Sequence, residues 1–305
     1  MFGLIGTTML ALTMRLAFAA QAPQPPAEPA SNSTHYEITS LLGRKFYSLP
    51  DAKGTVAAAQ KNVAADTKNA TLMLKLAQAQ AAVWQYREAV DTCTKALETA
   101  SDNPDLYLER GHRELALREF ANARSDLNRA VTLDPKKVDA YYHFGLSHYF
   151  LGEFAESADA FRHAVDLAPN TDSRVNSTNW LYASLRRANK PPEGAEALAK
   201  ITPDIRTSGH SEFYLHLVRF FQGAMKESDI MPPEPAVGAT DLEPELQFDT
   251  VAYGVGNWHL YNGQSARARE YFEHVIKGQV WVTWGFIGSE VEIVRMRGAG
   301  PALQE

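Results

Sequence analysis

Nine histidines and a single cysteine are the side chains of this 305-residue sequence best able to act as metal ligands, general bases or a nucleophile. Spacing decides against most of these roles. His143 and His148 fall on different faces of a helix, and no H-E-x-x-H zinc motif occurs. Glu109 and His112 can share a helix face, but such a pair serves a surface ion pair as readily as acid–base work. Gly209-His210-Ser211 lacks the second glycine of a nucleophile elbow, and no phosphate-cradling glycine-rich loop is present. Gly254 and Gly256, within YGVGNWHLY, follow no strand and read as helix-packing glycines. Cys93 cannot pair internally and cannot alone build a Cys-type zinc or iron–sulfur site; it reads as a small core hydrophobe. The expectation is no catalytic centre, no metal and no cofactor. An enzyme using scattered His and Glu residues is the alternative, and a purely structural assembly component is another.

Composition narrows the partners. With 45% hydrophobic and 22% charged residues the chain can bury a sizeable core. Thirty Lys+Arg against 36 Asp+Glu give a net charge of −6, which argues against nucleic acid, since a phosphate backbone needs clustered positive charge. Phe2 to Met14 form an apolar run, Ala17-Phe18-Ala19 has the form of a cleavage site, and the Pro-rich QAPQPPAEPA follows. This reads as a secretory signal over 1–19 and a flexible tether over 20–34, hence a periplasmic or secreted protein. Arg15 shortens the apolar stretch below the ~20 residues of a spanning helix, so no stable membrane insertion is expected after cleavage. Loss of Arg15 takes the charge from −6 to −7.

The elements that must position these side chains recur at one fixed step. Gly111 plus 34 is Gly145, and Ala77 precedes Gly111 by the same step. Tyr86, Phe120 and Phe154 follow it, as do Ala96, Ala130 and Ala164, while Pro135 and Pro169 close two consecutive units. With Ala70, Pro104 and Val138 as first positions, the fourth reads Met73, Tyr107, Tyr141 and the twenty-fourth Cys93, Leu127, Phe161. Small residues alternate with bulky ones as two closely packed helices require. Outside this core, His35 to Tyr47 and Lys53 to Ala65 carry helical spacing, and WLYAS with Pro191-Pro192 suggests a further pair. A late unit is expected from Asp249, with Gly256, Gly263, Ala268 and Phe272 at matching positions, then a helix from about Val280 to Arg297.

This pattern resembles the tetratricopeptide repeat (TPR) over residues 70–169. The resemblance implies an all-α fold, a solenoid of helical hairpins wound as a right-handed superhelix with a C-terminal capping helix. The expected divisions are a degenerate helical pair at 35–69, three units at 70–169, a degenerate fourth at 170–205, a helix and Pro-rich loop at 206–248, and the last unit with its cap at 249–299. The order of units also resembles the bacterial envelope TPR lipoproteins of the NlpI type, although the lipid-bearing cysteine is missing. That likeness implies an adaptor for envelope enzymes, often as a homodimer.

In TPR families the first helices line a concave groove, and this implies a partner surface at Leu108, His112, Leu115, Tyr142, Leu146, Tyr149, Trp180, Tyr253 and Asn257. The lining is aromatic and aliphatic and suits an extended peptide or an amphipathic helix of another protein. The competing expectation is that these side chains pack against the protein's own C-terminal segments.

Overall fold

The computed structural model describes residues 35–236 and 241–298; the expected signal and tether lie outside them. Asn69, Asn103 and Asn170 each turn a side-chain oxygen onto a backbone N–H of the following helix, and Pro104 occupies a first-turn position where its missing N–H costs nothing. After α1 (Thr55–Ala65), these starts help set out successive hairpins: α2 (Ala70–Ala82) with α3 (Tyr86–Leu97), α4 (Pro104–Ala116) with α5 (Phe120–Leu133), α6 (Val138–Leu151) with α7 (Phe154–Asp166), and α8 (Thr171–Arg187) with α9 (Pro191–Ala199). Then come α10 (Ser211–Phe221), the short α11 (Glu227–Ile230), a hairpin of α12 (Glu243–Tyr261) with α13 (Ser265–Val275), and α14 (Trp284–Met296). Among the described residues no helix is long and apolar enough to cross a membrane.

Several hairpins close where a glycine meets a large side chain. A Cβ added to Gly145 would lie 2.7 Å from the Phe161 ring, one on Gly111 2.8 Å from Leu127, and one on Gly256 2.8 Å from Tyr271. The turns inside the hairpins share a left-handed residue: Trp84 (φ 59°), Arg118 (φ 64°), Gly152 (φ 87°), Asn189 (φ 59°) and Gly263 (φ 80°). Neighbouring first helices α2, α4, α6 and α8 touch one another as well as their own partners, and α12 continues the row against α8. That row is the inner face. The architecture is an all-α solenoid of TPR-type hairpins.

Three segments depart from the sequence expectation. Residues His35 to Tyr47 are not helical: β1 (Tyr36–Thr39) and β2 (Lys45–Tyr47) form an antiparallel hairpin, so only the second helix of the expected 35–69 pair exists, as α1. Ile38 and Phe46 turn inward on this ribbon, and Gly43 at φ +83° makes the tight turn. Phe46 stacks on Trp281, and Arg44 donates to the Ile276 carbonyl at 2.7 Å, which docks the hairpin on the far end of the chain. The last unit begins at Glu243, six residues before Asp249, because the Pro-rich loop expected within 206–248 gives way in part to α11 and to the first turns of α12. The terminal helix α14 also does more than cover an end, since it lies along the inner row.

Candidate functional site: a cavity on the inner helix row

The residues of α14 reach α4, α6, α8 and α12 in turn. Glu290 takes the Arg118 guanidinium at 2.6 Å, both groups buried, and Arg118 also donates to the Trp281 carbonyl at 3.0 Å. Glu292 pairs with Arg187 at 2.8 Å and Arg295 at 2.5 Å. Burial pushes the Glu292 carboxyl up, but the two guanidiniums outweigh it and hold the group below its usual range. Arg295 also donates to the carbonyls of Tyr149 at 3.0 Å and Phe150 at 2.8 Å. Gly288 admits the Tyr253 ring, since a Cβ there would come within 2.5 Å of it.

This helix decides the fate of the groove expected from sequence. Leu115, Leu146 and Tyr149 have no exposed surface, Trp180 and Asn257 keep 2% and Tyr253 4%. Asn257 donates to the Tyr149 hydroxyl at 2.7 Å, Trp180 stacks on Phe161, and Tyr253 lies tilted against Trp180. These six residues are core, and the open peptide groove they were expected to line is closed by their packing on one another and by α14, which reaches Tyr149 and Tyr253. The physical reason is their apolar area: a row of large aromatic side chains left facing water is unfavourable, and α14, itself buried from Gly285 to Val294, lies against it. Only about 10 Å³ remains between Trp180, Tyr253 and Asn257, space for one water and no ligand.

Leu108, His112 and Tyr142 remain partly accessible, and the latter two line a cavity of about 520 Å³ at the edge of α14. Its walls come from α4 (His112), α6 (Asp139, Tyr142, His143), α8 (Asn176, Ser177), α10 with its preceding residue (Tyr214, His210), α12 (Glu243, Thr250) and the start of α14 (Thr283, Trp284). The volume falls in the range of small-molecule and side-chain pockets. His112 and His143 face each other with ring centroids 4.0 Å apart, and Trp284 lies 5.3 Å from the first and 5.7 Å from the second. Burial pushes both imidazoles down, His143 to about 4, with Arg113 and His143 adding to the effect at His112. Both are therefore neutral near pH 7. Burial likewise lowers His210.

His143 keeps Nδ1 at 2.7 Å from the Asp139 carbonyl, so Nδ1 carries the proton and Nε2 the lone pair. His210 Nε2 lies 3.1 Å from Thr250 Oγ1, whose own hydrogen goes to the Leu246 carbonyl at 2.9 Å. Nε2 is thus the donor, and Nδ1 is left as a buried acceptor without a protein partner. Asn176 Oδ1 is a second such acceptor.

Of the cavity residues, the sequence reading selected His112 and Tyr142, and it missed His143, His210, Tyr214, Glu243 and Trp284. The spacing of His143 to His148 on its own helix gives no sign of its partner, His112, which lies on the neighbouring one. Glu243 falls in the expected Pro-rich loop but is the first residue of α12. No local signal brings Trp284 here, because its position follows from where α14 docks. Among the described residues no group of three or more His, Cys, Asp and Glu is placed to hold a metal ion.

The helical hairpins, the glycine-to-aromatic contacts within them and the inner row of first helices define a repeat protein of the TPR class. The chain carries that repeat, for residues 138–171, the α6–α7 hairpin, match the family model described as Tetratricopeptide repeat. No curated protein matches. Among solved structures, one described as the crystal structure of MamA is similar at 21% identity and a TM-score of 0.45, over 48% of this chain and 85% of its own. A MamA fragment from Desulfovibrio magneticus RS-1 gives 20% identity and 0.44, over 48% and 81%. YrrB, described as a TPR protein with an unusual peptide-binding site, gives 15% and 0.46, over 73% and 92%. At these scores the likenesses say nothing about activity, and none of them bears on the narrower resemblance to envelope lipoproteins.

Proposed function

We propose that this chain is an exported protein-interaction scaffold that serves as an adaptor for enzymes of a bacterial cell envelope, and that it engages partners at the mouth of the inner cavity. One observation carries the reading: α14 fills the middle of the inner row but leaves a walled opening where five elements meet at its edge. The repeat supports an interaction role, since stacked hairpins present a fixed surface on which a partner can dock. Export rests on the apolar run Phe2 to Met14 and on Ala17-Phe18-Ala19.

Photo-crosslinking tests this directly. A photoreactive residue placed at Asp139 or Glu243, both exposed at the cavity mouth, should capture envelope proteins. The same residue at Arg129, exposed on α5 in the outer row, should not. Equal capture from both positions would move the binding surface elsewhere. Export is checked by N-terminal sequencing of the protein in cell fractions, where an intact Met1 in the cytosol would refute it.

A further inference from the structure

The cavity has a chemical bias of its own. None of its lining residues is Lys or Arg. Its three histidines are uncharged at neutral pH, and two carboxylates, Asp139 and Glu243, stand exposed at its mouth. Its walls present the rings of Tyr142, Tyr214 and Trp284. His143 keeps an acceptor lone pair on Nε2 by tautomer, while His210 Nδ1 and Asn176 Oδ1 are unpartnered acceptors buried within the wall. The first turns of α6, α8, α12 and α14 also open here, and helix starts favour anions. Each is already answered from within: Asp139 in α6, Asp172 in α8, Glu243 and Glu245 in α12, and in α14 the Thr283 hydroxyl, which accepts from the Phe286 N–H at 3.0 Å.

We infer that this cavity binds an organic cation bearing N–H donors, the guanidinium or ammonium of a basic side chain or of a small amine. The aromatic rings supply cation–π attraction, the Nε2 lone pair of His143 accepts an N–H group, and Asp139 with Glu243 draws the charge to the mouth. The inference deepens the scaffold reading where the cation belongs to a partner protein, and stands without it where the cation is a free molecule.

Calorimetry on the full mature chain separates the cases. The probes are agmatine, the peptide acetyl-Gly-Arg-Gly-amide, the same peptide with citrulline, and acetyl-Gly-Asp-Gly-amide. The arginine peptide should bind about tenfold tighter than its uncharged citrulline isostere, and the aspartate peptide should give no heat. Binding of both agmatine and the arginine peptide admits a protein side chain as the source, whereas binding of agmatine alone assigns the site to a small amine. The exposed-site double variant Asp139→Asn, Glu243→Gln should weaken the cation roughly three- to tenfold with its melting temperature kept. Citrulline binding as well as arginine, a preference for the aspartate peptide, or no heat from any probe would overturn the inference. Envelope proteins captured at Asp139 by a chain that binds no cation would remove this inference and leave the scaffold reading in place.

Discussion

Cys93 has no exposed surface, and burial pushes its thiol up to about 12, so the thiolate that reagents attack is absent at neutral pH. A thiol reagent should leave it unmodified in the folded protein and react fully once denaturant is added; fast native labelling would contradict the packing around α3. Three buried carboxyls behave in the opposite way to ordinary acids. Burial raises Glu37 to about 7 and Glu114 and Asp249 to about 8, with Asp126 adding to the effect at Glu114 and Glu245 at Asp249. Because their folded values exceed those of the unfolded chain, near 4, the folded state holds more protons between pH 4 and 8 and loses stability as pH rises through that window. The lowered imidazoles of His112, His143 and His210 work against this trend below about 6.5, where the unfolded chain's histidines take up protons first. Between pH 6.5 and 8 the raised carboxyls oppose stability without the lowered imidazoles working against them. Thermal melts should fall across that interval, and Asp249→Asn should flatten the fall; a melting temperature that stays level from pH 6.5 to 8 would show these groups to be ionised in the fold.

Among the elements, the hairpin turns tie repeat to closure. Trp84 and Arg118 adopt a left-handed backbone where Gly152 and Gly263 do so without strain, and each of the two larger side chains reaches the C-terminal segment. Trp84 meets Trp281 edge to face at 6.0 Å, and Arg118 pairs with Glu290. Arg118→Ala leaves Glu290 buried without its guanidinium and should cost about 3–5 kcal/mol. Arg118→Gly loses the same pair but relieves the turn, so it should be about 1 kcal/mol less damaging than alanine. Chemical denaturation of the two variants measures the difference, and a milder alanine would place the strain elsewhere. The helices α2 to α7 were legible because their contacts repeat at one step, such as Gly111 against Leu127 and Gly145 against Phe161. The β1–β2 hairpin was not, since Tyr36 to Tyr47 also satisfies a helical spacing and only its landing on Trp281 and Phe286 selects the strand. The site was half legible for the same reason. His112 and Tyr142 belong to the repeat, whereas His210, Glu243 and Trp284 arrive from outside it through contacts distant in the chain.

At the scale of the whole molecule, the hairpin at one end and α14 at the other meet across the inner row, through Arg44 to Ile276 and Phe46 to Trp281 and Phe286. A solenoid whose units touch only their neighbours can fray from an end, but this one has contacts that join its ends. Truncation before Val282 should therefore do more than open a groove. It strips Tyr149 and Tyr253 of cover and takes the carboxylates from Arg118 and Arg187, so the shortened chain should lose its single sharp melt and bind a hydrophobic dye. A truncated protein that melts as the parent does would show α14 to be a detachable lid. The same closure limits how the chain can change over generations. An open array lengthens by duplicating a unit, each copy resting on the last. Here a duplicated unit between α5 and α6 would carry Arg44 away from Ile276 and Arg118 away from Glu290, so the number of hairpins is set by the seam where the two ends are joined.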